Sequence, residues 1–109
     1  MKNTTYIEAI TEALAEEMAR DEKVFLLGED IGLSGGVFKA TKGLMDRFGS
    51  DRVIDSPISE AYIVGGCVGA AMVGMRPVPE IQFADFITPA MDQIIQQAAN
   101  VRYRTGGHS

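Results

Sequence analysis

The stretch Val24-Phe25-Leu26-Leu27-Gly28-Glu29-Asp30 decides the fold class. Its first four residues form an unbroken apolar run that starts with a β-branched residue. This pattern is typical of a strand that is covered on both faces, as strands are in parallel sheets. A glycine and two acids follow the run at once. We therefore expect a buried strand with Glu29 at its carboxyl end.

The segments on either side alternate between helical and strand patterns. Before the strand, Thr5-x-x-Glu8 is a capping-box pattern that opens an apolar stripe at helical spacing, with the members Ile7, Ile10, Leu14 and Met18. After the strand, the patterns predict a short helix over 42–48, a strand over 52–55, a helix over 61–75, a turn over 76–79 and a strand over 80–83. A loop over 84–87 and a final helix then follow, with Thr88 as the cap and Pro89 in the first turn.

This alternation predicts an open parallel α/β sheet flanked by helices. Ligands of such sheets bind beyond the carboxyl ends of the strands. Three predicted strand ends meet there, and they carry Glu29, the segment 57–60 and the segment 82–86. The pattern therefore predicts a cofactor or substrate cleft at this edge of the sheet.

The predicted helix over 61–75 is rich in glycine, including Gly65, Gly66 and Gly69. Each glycine inside a helix costs roughly 1 kcal/mol relative to alanine. We expect that close packing against the sheet or a neighbouring helix explains them. Neither this series nor Gly35-Gly36 matches a phosphate-binding loop or a dinucleotide fingerprint.

Composition narrows the class of protein. The chain has 109 residues and a net charge of −5, which fits one small domain and argues against a nucleic-acid binder. It has one cysteine, Cys67, and one histidine, so no zinc-ligand set is recognisable, and we expect Cys67 to be a small buried side chain. No signal peptide or membrane span is visible, so the expected location is the cytoplasm.

Residue patterns alone leave three candidate residues open. Ser59 is a plausible helix cap, and Glu60 in the first turn behind it could act either as a site residue or as an acid that stabilises the helix dipole. Phe86 could belong to the site or to the core. His108 follows two glycines near the chain end, and we expect it to be exposed.

Three sequence blocks resemble a known enzyme family. The first is Leu27-Gly28-Glu29-Asp30-Ile31-Gly32, the second is Arg52-Val53-Ile54-Asp55-Ser56-Pro57-Ile58-Ser59-Glu60, and the third is Arg76-Pro77-Val78-Pro79-Glu80-Ile81-Gln82-Phe83-Ala84-Asp85-Phe86. The chain resembles the beta subunit of the thiamine diphosphate-dependent decarboxylating component of 2-oxo acid dehydrogenase complexes. The resemblance covers nearly the whole chain, and it implies that residues 1–109 are the N-terminal part of a transketolase-like pyrimidine-binding domain.

The resemblance also implies roles for single residues. Glu60 matches the catalytic glutamate, which hydrogen-bonds the pyrimidine ring nitrogen of thiamine diphosphate and so promotes loss of the thiazolium proton. Phe86 matches the aromatic position that stacks on the aminopyrimidine. The cofactor-cleft positions further include Glu29, Ile58, Ser59 and Gln82. No metal ligand is implied in this chain, because Mg²⁺ and the diphosphate are expected on the alpha subunit.

The implied partners are the alpha subunit, in a heterotetramer, and the lipoyl acyltransferase that takes the acyl group from a 2-oxo acid. The segments 36–38 and 81–85 lean toward the branched-chain and acetoin types, and a branched-chain 2-oxo acid is the first expectation for the substrate. Pyruvate or acetoin dehydrogenase, another transketolase-like enzyme and a non-catalytic interaction fragment are the alternatives. Members of the family are several times longer than 109 residues, and the chain alone is therefore expected to be inactive.

Overall fold

A computed structural model describes residues 3–109, so Met1 and Lys2 of the expected domain lie outside the described residues. Four α-helices and three strands are present in this part of the chain. In chain order they are α1 (Tyr6–Arg20), β1 (Val24–Gly28), α2 (Leu44–Phe48), β2 (Val53–Asp55), α3 (Glu60–Met72), β3 (Arg76–Glu80) and α4 (Val101–Arg104). A 3₁₀ helix (Ala84–Ala90) and a π-helix (Gln93–Ala98) lie between β3 and α4.

The strands form one parallel sheet in the order β2-β1-β3. This confirms the open parallel α/β fold. Gly28, the last residue of the central strand, pairs with Asp55 on one side and with Glu80 on the other. The carboxyl ends of all three strands therefore lie side by side, where the sequence predicted a cleft.

Helix α1 starts as its capping box predicts. The Thr5 hydroxyl accepts from the Glu8 backbone N–H at 3.2 Å, and the Glu8 carboxylate accepts from the Thr5 N–H at 2.9 Å. Its predicted apolar stripe is buried only toward the end of the helix, since Met18 is buried whereas Ile10 is half exposed. The main core consists of Met18, Val24, Leu26, Ile31, Leu44 and Val53.

The prediction for the third strand was wrong in its position. The expected turn over 76–79 is itself the strand β3, and residues 81–83 follow it. Pro77 and Pro79 do not disrupt the ladder, because the Arg76 N–H donates toward β1, to the Lys23 carbonyl at 2.9 Å. Backbone groups of successive strand residues point to opposite sides, so both proline nitrogens face the outer edge, where no ladder donor is required.

The predictions for residues 84–104 were also wrong in detail. The expected loop over 84–87 is the start of the 3₁₀ helix, which has Phe83 at its cap. Thr88 therefore lies inside a helical segment rather than at its start, and its hydroxyl donates to the Asp85 carbonyl at 3.2 Å. Pro89 likewise lies within this helix. The segment then widens into π geometry, in which the Ala99 N–H donates five residues back to the Ile94 carbonyl at 2.9 Å.

The expected close packing of α3 holds at one glycine and fails at another. A Cβ atom at Gly65 would lie 2.9 Å from the Gln93 Oε1 atom, whereas a Cβ atom at Gly69 would meet open space. Cys67 between them is buried as expected, and burial raises the pKa of its thiol to about 11. Within residues 3–109, no helix is long and apolar enough to cross a membrane.

Candidate functional site

Glu60 is the first residue of α3, and Ser59 fixes the start of that helix. The Ser59 hydroxyl accepts from the Tyr62 backbone N–H at 3.4 Å, which confirms the predicted cap. Glu60 is half buried. The short connection from β2 therefore delivers a carboxyl group to the edge of the sheet where the strands end.

Glu29 lies directly after β1, and its side chain is only 8% exposed. Its carboxyl group lies close enough to that of Glu60 for the two to interact. Burial raises the pKa of Glu29, and the contact with the Glu60 carboxyl and the nearby Asp30 charge raise it further. Glu29 thus keeps its proton to higher pH than a free glutamate.

Gln82 joins this carboxyl pair from the third strand end. Its side-chain amide donates to the Glu29 backbone carbonyl at 3.3 Å. The contact spans from the segment after β3 to the residue after β1. Gln82 lies beyond the end of β3 rather than inside the predicted strand over 80–83, and its observed contact is with the backbone that carries Glu29.

Phe86 lies in the 3₁₀ helix and is 45% exposed, so it is not a core residue. Its ring meets that of Phe83 edge-to-face, with centroids 5.5 Å apart, and Phe83 meets Phe38 in the same way at 5.6 Å. The 3₁₀ helix packs against α3. Phe38, Phe83 and Phe86 therefore form an accessible aromatic cluster on a segment that packs against α3.

Two of the three residues in the aromatic cluster were not identified from sequence patterns. Phe38 and Phe83 were not predicted as site residues, although the three-residue spacing of Phe83 and Phe86 places both on one face of a helical turn. Ile58, a predicted cofactor-cleft residue, is 85% exposed. His108 is exposed, as expected.

A groove of about 640 Å³ lies elsewhere, between α1 and β3. It is lined near the start of the strands by Val24 and Arg76, with Ile10 and Leu14 on its helical side. It is therefore remote from the carboxyl pair. Among residues 3–109, no group of three or more histidine, cysteine, aspartate or glutamate side chains is arranged to hold a metal ion.

The Glu29 carboxyl gives a prediction about the pH dependence of stability. Because its pKa in the folded chain exceeds the ordinary value of 4.5, the folded state binds more protons than the unfolded state just above that pH. Its contribution to the free energy of unfolding therefore falls as pH rises from about 4.5 through the folded pKa. Glu29→Gln removes the ionisation and leaves an amide that can donate to Glu60. We expect this variant to gain stability over the wild type as pH rises, measured by urea unfolding between about pH 4 and 8.

A matched control for this measurement is Glu22→Gln, at an exposed position in the turn after α1. Its stability difference from wild type should not change over the same pH range. Burial also raises the pKa of Glu80. Because Glu80 is present in every protein compared, its contribution to the pH dependence of stability is the same in each and cancels from the differences. A Glu29→Gln protein that loses stability relative to the wild type as pH rises would contradict the assignment of a raised pKa to the Glu29 carboxyl group in the folded chain.

A parallel sheet with two neighbouring carboxyl groups and exposed aromatic rings beyond its strand ends defines the class of protein: an α/β domain with a candidate ligand site at the carboxyl ends of its strands. Comparison with known families agrees with this. The family described as "Transketolase, pyrimidine binding domain" matches residues 2–107, and the chain belongs to that family.

Curated relatives add detail. The chain is 58% identical over 105 residues to the 2-oxoisovalerate dehydrogenase subunit beta of Bacillus subtilis (strain 168), a match that covers 96% of this chain and 32% of the relative. It is 50% identical over 107 residues to the pyruvate dehydrogenase E1 component subunit beta of the same organism, covering 98% and 33%. With the 2-oxoisovalerate dehydrogenase subunit beta of Pseudomonas aeruginosa it shares 48% identity over 103 residues, covering 94% and 29%. The chain thus spans about a third of the length of these relatives.

Proposed function

We propose that this chain supplies the beta-subunit wall of a thiamine diphosphate site in a 2-oxo acid dehydrogenase, with a branched-chain 2-oxo acid as the preferred substrate class. The neighbouring carboxyl groups of buried Glu29, after β1, and of Glu60, at the start of α3, carry the proposal. A carboxyl group at Glu60 can share a proton with a weakly basic ring nitrogen, and Glu29 keeps a second proton within reach. The 58% identity to a 2-oxoisovalerate dehydrogenase subunit supports the substrate class.

The residues present fit the aminopyrimidine end of this cofactor. An exposed aromatic ring at Phe86 offers a stacking surface, and the carboxyl group of Glu60 offers a hydrogen-bond partner. When bound, thiamine diphosphate supplies the carbanion-stabilising chemistry of the decarboxylation. Glu60 would hold the pyrimidine ring nitrogen, Ser59 would keep Glu60 at the helix start, and Gln82 would hold the backbone of Glu29.

The other half of the site is proposed to come from a partner. The relatives are named as beta subunits, which supports a second, complementary subunit. We propose an alpha subunit that holds the diphosphate and Mg²⁺, in a heterotetramer whose product acyl group passes to a lipoyl acyltransferase. The chain by itself is then expected to show no decarboxylase activity, since it positions only one end of the cofactor.

A chimera tests the proposed function. The matching 105 residues of the Bacillus subtilis 2-oxoisovalerate dehydrogenase beta subunit are replaced by those of this chain, and the product is assembled with its alpha subunit, thiamine diphosphate and Mg²⁺. We expect decarboxylation of 2-oxoisovalerate within about tenfold of the parent enzyme, because a conserved cleft wall preserves the contacts that orient the cofactor. A second chimera carries the same segment in the pyruvate dehydrogenase E1 component subunit beta. Comparing the activities of the two chimeras on 2-oxoisovalerate and pyruvate measures how far this segment favours one substrate.

The outcomes separate the alternatives. A chimera that assembles and binds thiamine diphosphate by calorimetry, but does not turn over, would contradict the catalytic assignment and leave a non-catalytic interaction module. If pyruvate is turned over as fast as 2-oxoisovalerate or faster in the matched chimeras, the branched-chain preference is contradicted. The proposed role in the thiamine diphosphate site is not affected by that result.

A further inference from the structure

Thr41 is a buried polar residue that the proposed function does not use. It is 3% exposed and lies in the loop between β1 and α2. Its hydroxyl donates to the Ile31 backbone carbonyl at 2.7 Å, and Ile31 itself is fully buried. Ile31 is two residues after Glu29. The hydroxyl therefore fixes the backbone directly beyond the carboxyl pair.

Asp55 fixes the next residue of the same turn. Its carboxylate, at the end of β2, accepts from the Gly32 backbone N–H at 2.7 Å. A Cβ atom at Gly32 would lie 2.6 Å from the second carboxylate oxygen of Asp55, so the strand end and the turn are in direct contact. Glycine is required at this position because any side chain would separate the two groups.

The turn from Glu29 to Gly32 needs such support because its backbone is unusual. Asp30 has φ +56°, in the left-handed region that non-glycine residues rarely adopt. The Asp30 carbonyl accepts from the Gly36 N–H at 2.8 Å, and the Glu29 carbonyl accepts from Gln82. Each successive carbonyl from residue 29 to residue 31 is thus held by a separate donor, and the direction in which Glu29 leaves β1 is set by these contacts.

We infer that Thr41 and Asp55 are positioning residues that hold the Glu29 carboxyl against Glu60 by clamping the 30–32 turn. Neither side chain is proposed to touch the cofactor. Each acts through the backbone that carries Glu29. The catalytic importance of this role rests on the proposed function. The interaction between the two carboxyl groups can be measured in the chain without any cofactor.

The test uses paired variants of the 109-residue chain with ¹³C-labelled glutamate carboxyls. Thr41→Val removes the hydroxyl at nearly constant shape, and Thr41→Ser keeps it. Asp55→Ala removes the acceptor, and Asp55→Asn keeps an acceptor oxygen without the charge. NMR titration gives the pKa of Glu29 in each protein, and amide exchange gives the protection of Gly32. The charged groups around Glu29 are Glu60 on α3, Asp30 in its own turn, and Asp55 and Glu80 at the neighbouring strand ends.

We expect the pKa of Glu29 to fall toward its ordinary value in Thr41→Val and Asp55→Ala, and to stay near the wild-type value in Thr41→Ser and Asp55→Asn. The Asp55 carboxylate is the acceptor of the Gly32 N–H, so Gly32 exchange should speed up about tenfold or more in Asp55→Ala. A general loss of stability would not move the Glu29 titration selectively. An unchanged Glu29 pKa in both removal variants would overturn the inference. If Thr41→Val fails to fold, the Asp55 pair decides.

The same variants placed in the active chimera separate this inference from the proposed function. We expect Thr41→Val to lower kcat with little change in KM, and Thr41→Ser to restore it, because the clamp orients a catalytic group rather than binding substrate. If the parent chimera is inactive, the proposed function fails. The NMR titration of the chain still shows whether Thr41 and Asp55 hold the 30–32 turn and the Glu29 carboxyl in place. If the chimera is active and Thr41→Val and Thr41→Ser have equal kcat, the clamp has no catalytic role.

Discussion

Glu60→Gln is expected to slow exchange of the thiazolium C2 proton of bound thiamine diphosphate by at least about a hundredfold, since general acid–base groups contribute about 10²–10⁴ to rate. An amide is nearly the same shape as the carboxyl, so α3 and its Ser59 cap should remain intact. The amide cannot share a proton with a ring nitrogen as a carboxyl does. Exchange with deuterated water, followed by NMR in the assembled chimera, isolates this step from later ones.

The matched control for Glu60→Gln is Glu16→Gln, at an exposed position on α1. Its exchange rate should equal that of the parent. Glu29→Gln should cost less than Glu60→Gln, because Glu29 acts through its contact with Glu60 rather than on the cofactor itself. Near-normal exchange in Glu60→Gln would return Glu60 to the role of an acid that stabilises the start of α3.

The order of helices and strands followed from the sequence because each pattern had a physical cause. The unbroken run at 24–27 predicted a strand covered on both faces, and β1 is the central strand of the sheet. The third strand was misplaced because two prolines within five residues normally indicate a turn. What the sequence could not show is that β3 is an edge strand of the described sheet, whose proline nitrogens face outward.

The helical segment after β3 was harder to predict for a different reason. Thr88 and Pro89 form a typical helix start, but the 3₁₀ helix begins at Ala84 with Phe83 at its cap and no capping side chain. Tertiary packing against α3 holds this segment, so no local capping signal marks its start.

The candidate site was predictable in its location but not in its contacts. Parallel strands end at one edge, so Glu29 and the residues around Glu60 were expected near each other. The sequence could not show that the two carboxyl groups lie close enough to interact or that Gln82 reaches the Glu29 backbone, since these contacts depend on the left-handed turn at Asp30. Thr41 gave no sequence signal, because a threonine in a glycine-rich loop is ordinary.

Arg52→Met is expected to lower the free energy of unfolding by about 3 kcal/mol, because one guanidinium holds three backbone carbonyls and hydrogen bonds to charged groups contribute about 1.5–3 kcal/mol each without adding fully. Arg52 lies just before β2 and donates to the carbonyls of Met18 at 2.7 Å, Asp21 at 2.9 Å and Val24 at 2.9 Å. It thereby joins the end of α1 to the start of β1. Methionine retains the apolar stem and removes all of these donors.

Urea unfolding of the chain measures this effect, and Arg47→Met is the matched control. The Arg47 guanidinium stacks over the Phe48 ring at 4.8 Å, as that of Arg52 does at 5.2 Å, but Arg47 is exposed. Its replacement should change the free energy of unfolding by no more than about 0.5 kcal/mol. Arg52→Lys should lie between the two, since a single ammonium group retains the charge but cannot reach all three carbonyls in the geometry of a guanidinium. Equal losses in Arg52→Met and Arg47→Met would show that ring stacking, rather than the carbonyl contacts, stabilises this junction. If the carbonyl contacts are responsible, Arg52→Met also removes the contacts that hold the start of β2 against α1 and β1. This strand ends at Asp55 and leads to the start of α3.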